Sequence, residues 1–445
     1  MRQHRIIQAS LFDVFAGHEI GRELKAMSEW LDEHRELVAL VAQDLRGCGV
    51  KQTGRQGLPA ESVLRCALLK QHRQLSYEEL AFHLEDSASF RAFARLSLTW
   101  TPKKSVLHKT IGAIRAETWE AINHAVVASA RLEKVETGEA IRVDSTVTAA
   151  LMHEPSDSSL LWDAVRVMAR MLKAAEALAG AKLAWRDRRR AAKRRAYAIQ
   201  FTRGRPKRVQ QYRELIAITR SMLAYLDDAS ARLERVVSPT AELWRAGLAH
   251  DRPLIERIIG QTERRVVRGE AVAAQEKIVS LFEPHADIIV KGGRDTQYGH
   301  KLNLVAGRSG LILDLVIESG NPNDAERFLP MLERHIVLWG RPPRQAAADG
   351  GYATLHNLSQ AKALGVGDMA FHKKAGLNIE DMVRSRWVYR KLRNFRAGIE
   401  AGVSCLKRAY GLARCTWRGL AHFRAYVWSS VVAYNLALFT RPART

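Results

Sequence analysis

Residues 140–148 read AIRVDSTVT, and the fold follows from how this run is taken. Ile141, Val143, Thr146, Val147 and Thr148 are β-branched, which suits a pleated strand. Asp144 lies in its middle. A charge inside an apolar strand costs several kcal/mol unless it is paired or holds a cation. The plainer alternative is an Asp on a wet face of the strand.

Downstream, ADIIVKG (286–292), KLNLVAG (301–307) and LILDLVIES (311–319) read as further strands. The last two are joined by Arg308, Ser309 and Gly310, a short hairpin turn. A helix begins at Asn321-Pro322-Asn323-Asp324 and runs to about Leu338. RQAAAD (344–349) is a short buried strand broken by Gly350 and Gly351. A helix over 354–364, a strand over 366–371, and helices over 382–412 and 420–439 follow. Residues 156–284 are expected to be helical, with Leu161, Val165, Met168 and Leu172 at helical spacing. Without that segment the order is strand, hairpin, helix, strand, helix, strand, helix. This is the order of an α/β, RNase H-like mixed sheet with a large all-helical insertion between its first and second core strands. Right-handed crossovers put strand 344–349 beside strand 140–148.

Residues 1–135 read as a helical domain. Ser28 opens one amphipathic stretch and Pro59 another. Ser76 and Glu79 form a capping-box pattern, Ser87 starts a short helix, and Lys103 and Lys104 precede a further one. Short helices with tight turns and basic side chains resemble a helix-turn-helix assembly, or an ordinary bundle that touches nothing. The expected division is 1–135, a DNA-binding domain; 136–155 with 285–445, the catalytic domain; and 156–284, the basic insertion.

The 445 residues include 70 Lys and Arg against 47 Asp and Glu, a net charge of +23. A polyanion is the favoured partner. The densest run, 182–213, holds 13 basic residues and one acid, Asp187. Arg188, Arg189, Arg190, Lys193, Arg194, Arg195, Arg205, Lys207 and Arg208 are candidate phosphate contacts, with Trp185, Tyr197 and Phe201 interleaved. A solvated helix face is the plainer reading, but the imbalance is too large for salt bridges to neutralise. Apolar residues reach 47%, so disorder is excluded. The most apolar run, 427–439, is short of the roughly 20 residues a membrane span needs. Residues 1–15 lack a signal-peptide pattern. Cys48, Cys66, Cys405 and Cys415 form no CxxC pair, so neither a zinc site nor a disulfide framework is expected.

Metal-assisted cutting of a phosphodiester needs carboxylates converging from several elements. Asp144 and Asp349 stand on the two adjacent strands, although an Asp before Gly is also a common turn. The helix over 382–412 supplies Arg396, Glu400 and Lys407. Positions four before and seven after Glu400 fall on its own face, so both cations flank it. A plain surface pair between Arg396 and Glu400 is equally open from spacing. Glu380, Asp381, Asp314, His153 and His300 are set aside on position.

Three ordered segments now stand together: VDST with Asp144, ADGGY with Asp349, and R-x3-E-x6-K with Glu400. With the early segment 54–96 and YGHK (298–301), they resemble the bacterial insertion-sequence transposases of the DDE class, most closely the ISNCY-type group. Many of those relatives carry Tyr three residues before the signature Arg, where this chain has Arg393. The resemblance implies Asp144, Asp349 and Glu400 as ligands of two Mg²⁺ or Mn²⁺ ions. It implies Arg396 and Lys407 as DNA contacts, and cleavage with strand transfer at the element's ends. It also implies double-stranded DNA, both transposon ends and target, as partner, a homo-oligomer on that DNA, and a place in the bacterial cytoplasm near the nucleoid. A related nuclease or resolvase would need neither the insertion nor the N-terminal domain. A non-catalytic DNA-binding regulator would not need the three carboxylates.

Overall fold

The computed structural model describes residues 18–47, 57–97, 100–290, 296–372 and 376–441. The N-terminal stretch 1–15 and Cys48 lie outside them. The chain divides into two compact units, Met1–Ala149 with His300–Thr445, and Ala150–Gly299.

The protein is mixed α/β. Its sheet has strands β1 (Ala140–Ala149), β2 (Asp287–Ile289), β3 (Gln297–Ala306), β4 (Ile312–Ile317), β5 (Gln345–Ala348) and β6 (Asp368–Phe371). β3 carries β4 as an antiparallel neighbour, with β1, β5 and β6 following on its other side. β2 pairs only with the first residues of β3, Gln297 to Gly299. β1 and β5 are parallel, aligned from Ala140 beside Gln345 to Val143 beside Ala348. The adjacency expected from right-handed crossovers is thus present.

Among the described residues of the first unit, seven helices precede the sheet: α1 (Glu19–Glu33), α2 (Glu36–Gly47), α3 (Ala60–His72), α4 (Tyr77–Asp86), α5 (Ala88–Phe93), α6 (Lys104–Ile111) and α7 (Ala116–Leu132). The Ser76 capping box forms, and Ser87 caps α5. Ser28 does not open a helix; it is buried inside α1. Its hydroxyl accepts a hydrogen bond from Arg65 Nη1 at 2.8 Å, so the side chain serves a neighbouring helix and not its own backbone. Arg65 is itself buried, and that burial lowers its pKa to about 10, opposed by Glu61 and Asp32 beside it.

The second unit holds α8 (Asp157–Ala179), α9 (Arg189–Phe201), α10 (Arg205–Leu233) and α11 (Pro239–Thr262). Ser156 caps α8 with Ser159, and Gly180 ends it in the left-handed region at φ 60°. Leu161, Val165, Met168 and Leu172 are all buried in its core. Residues 269–284, expected to be helical, are not. A π turn over Glu263–Arg268 ends at Gly269, whose φ of 75° reverses the chain, and only one 3-10 turn, Ala274–Glu276, follows.

After β4 come α12 (Asp324–Trp339), α13 (Leu355–Ala363), a single turn (Ile379–Met382), α14 (Arg386–Ala409) and α15 (Leu420–Phe439). The last helix, read as too short to span a membrane, is buried along most of its length and packs on α7 and α3. No helix among the described residues is long and apolar enough to cross a membrane. Asn435 clamps it to the sheet. Its Oδ1 accepts from the Ile312 N–H at 2.9 Å, and its Nδ2 donates to the Ile312 carbonyl and to Asn123 Oδ1, each at 2.7 Å. The N-terminal helices therefore share one core with α15 and with Leu302, Leu304 and Ala306 of β3.

His335 on α12 gives the fold a pH signature. It is 1% exposed, stacks on Trp339 and donates from Nε2 to the Gly138 carbonyl at 3.1 Å. Burial lowers its pKa to about 4, although the Gly138 carbonyl opposes the shift. Below about 6.5 the unfolded chain takes up a proton that the folded chain refuses. Stability should therefore fall as pH drops from 6.5 toward 4, by about 2 kcal/mol at pH 5 from this group. Melting temperatures between pH 7 and 5 should fall less steeply for His335→Gln, whose amide keeps the donor; an unchanged slope would clear His335 of the effect.

Candidate active site

Asp144 and Asp349 are each one residue beyond the last aligned pair of β1 and β5, Val143 with Ala348. Neighbours in register point to the same side of a sheet. Asp144 Oδ1 accepts from the Ser145 N–H at 2.7 Å, and Asp349 Oδ1 from the Gly350 N–H at 2.7 Å. Both residues are half-buried. Asp349 opens the 3-10 turn Gly350–Tyr352. A Cβ at Gly351 would come within 2.9 Å of Asp324 Oδ2, so that carboxylate would have to shift.

Tyr352 anchors this turn from below. It is fully buried, and its hydroxyl donates to Asn303 Oδ1 at 2.8 Å. Asn303 in turn donates to Glu318, which also accepts from Arg327. Burial pushes the phenol pKa well above 10, and the carboxylates of Asp324, Asp144 and Asp349 push it the same way, so it stays a donor. Lys301, from the YGHK segment, pairs with Asp324 at 2.6 Å and donates to the Pro322 carbonyl at 2.7 Å.

The remaining candidate carboxylate, Glu400, is on α14, which Ser385 caps. Val388, Leu392, Ile399 and Leu406 form its buried stripe. Arg142, two residues before Asp144, pins it: Nη1 donates to the Phe395 carbonyl at 2.8 Å, and the guanidinium lies 4.8 Å from the Phe395 ring centre. Glu400 is exposed and accepts from Arg396 Nη2 at 2.8 Å. Arg396 Nη1 lies 3.9 Å from Asp349 Oδ1. One guanidinium, only 15% exposed, thus joins the strand carboxylate to the helix carboxylate. The i,i+4 pair that spacing left open forms, but its Arg also reaches across to Asp349 at the end of β5. Lys407 is half-buried farther along α14.

Residues 284–436 match the family model described as Transposase DDE domain, and residues 16–115 match Transposase domain (DUF772). Together the two matches take in more than half of the chain. The chain carries two transposase domains typical of insertion-sequence transposases. No curated protein and no solved structure matches it.

The basic run of the transposase folds onto α9 and the start of α10. Arg190, Lys193, Arg194, Arg205 and Lys207 are exposed. Arg189 pairs with Asp187, Arg195 with Glu214, and Arg208 donates to the Thr202 carbonyl. Arg188 is half-buried. Tyr197 and Phe201 are 63% and 66% exposed, with ring centres 4.8 Å apart. In the first unit Lys103 and Lys104 are exposed, and Lys104 pairs with Glu78.

The donor set of the site is all carboxylate oxygen, which suits a hard divalent cation. Among the described residues, the one trio of His, Cys, Asp or Glu whose ligand atoms all lie within 4.8 Å of one another is elsewhere: Glu120, His124 and Asp314. Arg334 already holds both Asp314 oxygens, at 2.6 and 2.8 Å, so an arginine fork occupies that cluster.

Arg142, Asn303, Asp324 and Tyr352 were not singled out from sequence. Arg142 carried a readable signal, a second charge in the apolar strand that holds Asp144. Gly398 tests its role. A Cβ there would overlap the Arg142 guanidinium. In an open helix Gly→Ala stabilises by about 1 kcal/mol. Gly398→Ala should instead lower the melting temperature of the transposase; a rise would show that Arg142 does not pack there.

Proposed function

We propose that the transposase cuts DNA at its element's ends and joins the freed 3′ ends to a target, with Asp144, Asp349 and Glu400 holding two divalent cations, Mg²⁺ or Mn²⁺. The observation that carries this reading is the bridge through Arg396, which ties Glu400 to Asp349, itself one step past the aligned end of β1 and β5. When bound, the cations stabilise the attacking and leaving oxygens of an in-line displacement. The chain's own part is positioning. Tyr352, Asn303 and the Asp324–Lys301 pair fix the turn that carries Asp349. Arg142 fixes α14 and with it Glu400. Arg396 holds two carboxylates together against their repulsion, and its guanidinium offers charge-assisted hydrogen bonds to a phosphate brought to that edge. Lys407 extends the cationic side of α14.

In the same reading the N-terminal helices and the helical unit bind the duplex outside the cut. Arg190, Lys193 and Arg194 contact phosphates, and the exposed Tyr197 and Phe201 offer faces for bases. Two ends must be handled in one event, so the working form is a homo-oligomer on DNA, in a bacterial cytoplasm near the nucleoid.

Asp349→Ala should abolish strand cleavage of terminal-repeat DNA while binding and folding persist; cutting at the wild-type rate would remove Asp349 from the site. Glu400→Gln should lower Mg²⁺-dependent cleavage by orders of magnitude and shift stability by only a few tenths of a kcal/mol, the scale of a surface helix pair. Cleavage that survives would leave Glu400 as a partner of Arg396 alone. Glu380→Gln is the control and should cut normally.

Replacing Arg188, Arg189, Arg190, Arg194 and Arg195 by Gln together should weaken binding across unrelated sequences. Each lost phosphate contact flattens the dependence of log K on log salt by about 0.9. An unchanged slope would mark the run as a solvated face.

A further inference from the structure

At the start of β1 and β5, beside the turn between β3 and β4, the first unit has an open groove of about 440 Å³. Arg308, Arg344, Arg384 and Lys391 line it, against one carboxylate, Glu139. Glu139 is already paired with Arg341 at 3.6 Å, and Arg384 lies 3.9 Å from buried Asp368. Arg344 and Lys391 are exposed and have no ion-pair partner among the described residues. Trp387 forms one wall, 56% exposed, with Lys391 Nζ 4.0 Å from its ring centre. A solvated salt-bridge face would balance these charges; this groove leaves them in excess around an exposed indole. Such an excess of cations suits a phosphate backbone, and the indole face holds the Lys391 ammonium beside it.

The groove and Glu400 lie on opposite shoulders of α14's buried stripe. The exposed residues between them include two cations, Arg393 and Arg390, with Ala397 and Asn394 beside them. By the helical angle of 100° per residue, Glu400, Arg393, Arg390, Trp387 and Lys391 follow one another around the open side of the helix. Arg393 places a cation on that path. Trp387 and Glu400 are roughly 20 Å apart along the helix axis, or about six base steps at 3.4 Å each.

We propose that this groove and the Arg390–Arg393 strip form a second DNA path, which holds the backbone of the duplex about six base pairs from the phosphate at Glu400. Its distance from the cut rests on the transposase reading of Glu400; its binding of a duplex does not. Wild type and the triple variant Arg344→Gln, Lys391→Gln, Arg393→Gln are titrated with a 40-bp mixed-sequence duplex by fluorescence anisotropy over a range of KCl. The slope of log K on log salt should flatten by roughly 2–3 units, with an unchanged melting temperature. The conservative triple variant Arg344→Lys, Lys391→Arg, Arg393→Lys should restore the slope. A slope equal to wild type overturns the proposal, as does binding of a free mononucleotide that Trp387→Ala abolishes while duplex binding stays intact. Loss of the slope together with the fold is resolved by the conservative variant, which must then recover both or the proposal fails. No cleavage is measured, so an active Asp349→Ala would defeat the catalytic reading and leave this result standing.

Discussion

Everything at the site hangs on the parallel pairing of β1 with β5. Two hundred residues of chain separate these strands, yet four aligned residues place Asp144 and Asp349 one step beyond the same point. A slip of one residue would send one carboxylate to the opposite face of the sheet. The register is held from both ends. Gly350 and Gly351 stop β5 at once, and Tyr352 pins the resulting turn to β3 through Asn303. From the other strand, Arg142 reaches out and fixes α14.

Charge does the rest of the assembly. Arg142, Arg396 and Lys301 each join separate segments of the chain. Two of the three meet a carboxylate at or beside the turn of Asp349; Arg142 meets a helix carbonyl instead. The site is thus set among fixed cations, which counter the repulsion between acids clustered at one edge.

The strands were readable because β-branched residues and glycine breaks are local signals. The adjacency of β1 and β5 was readable because crossover handedness leaves few alternatives. Local rules also misled. Ser28 followed by Glu looked like a helix start, but its hydroxyl was taken by Arg65, 37 positions away. The stretch 269–284 kept helical composition, but Gly269 turned the chain out of the helix. Tyr352, Asn303 and Asp324 gave no signal, since each matters only through partners that the fold brings together. The i,i+4 spacing foresaw Arg396 with Glu400 but could not foresee its reach to Asp349. In the same way, nothing local announced that helices near the start of the chain would share a core with α15.

That shared core has a temporal meaning. Synthesis runs from the N-terminus, so α3 and α7 leave the ribosome long before residues 420–439 exist. Until then the faces of α3 and α7 that α15 packs on lack that cover, and the Ile312 N–H lacks the Asn435 oxygen. The core that the N-terminal helices share with β3 and α15 is complete only when the C-terminal helix arrives. A chain terminated before residue 420 therefore carries Asp144, Asp349 and Glu400 without the helix that completes this core.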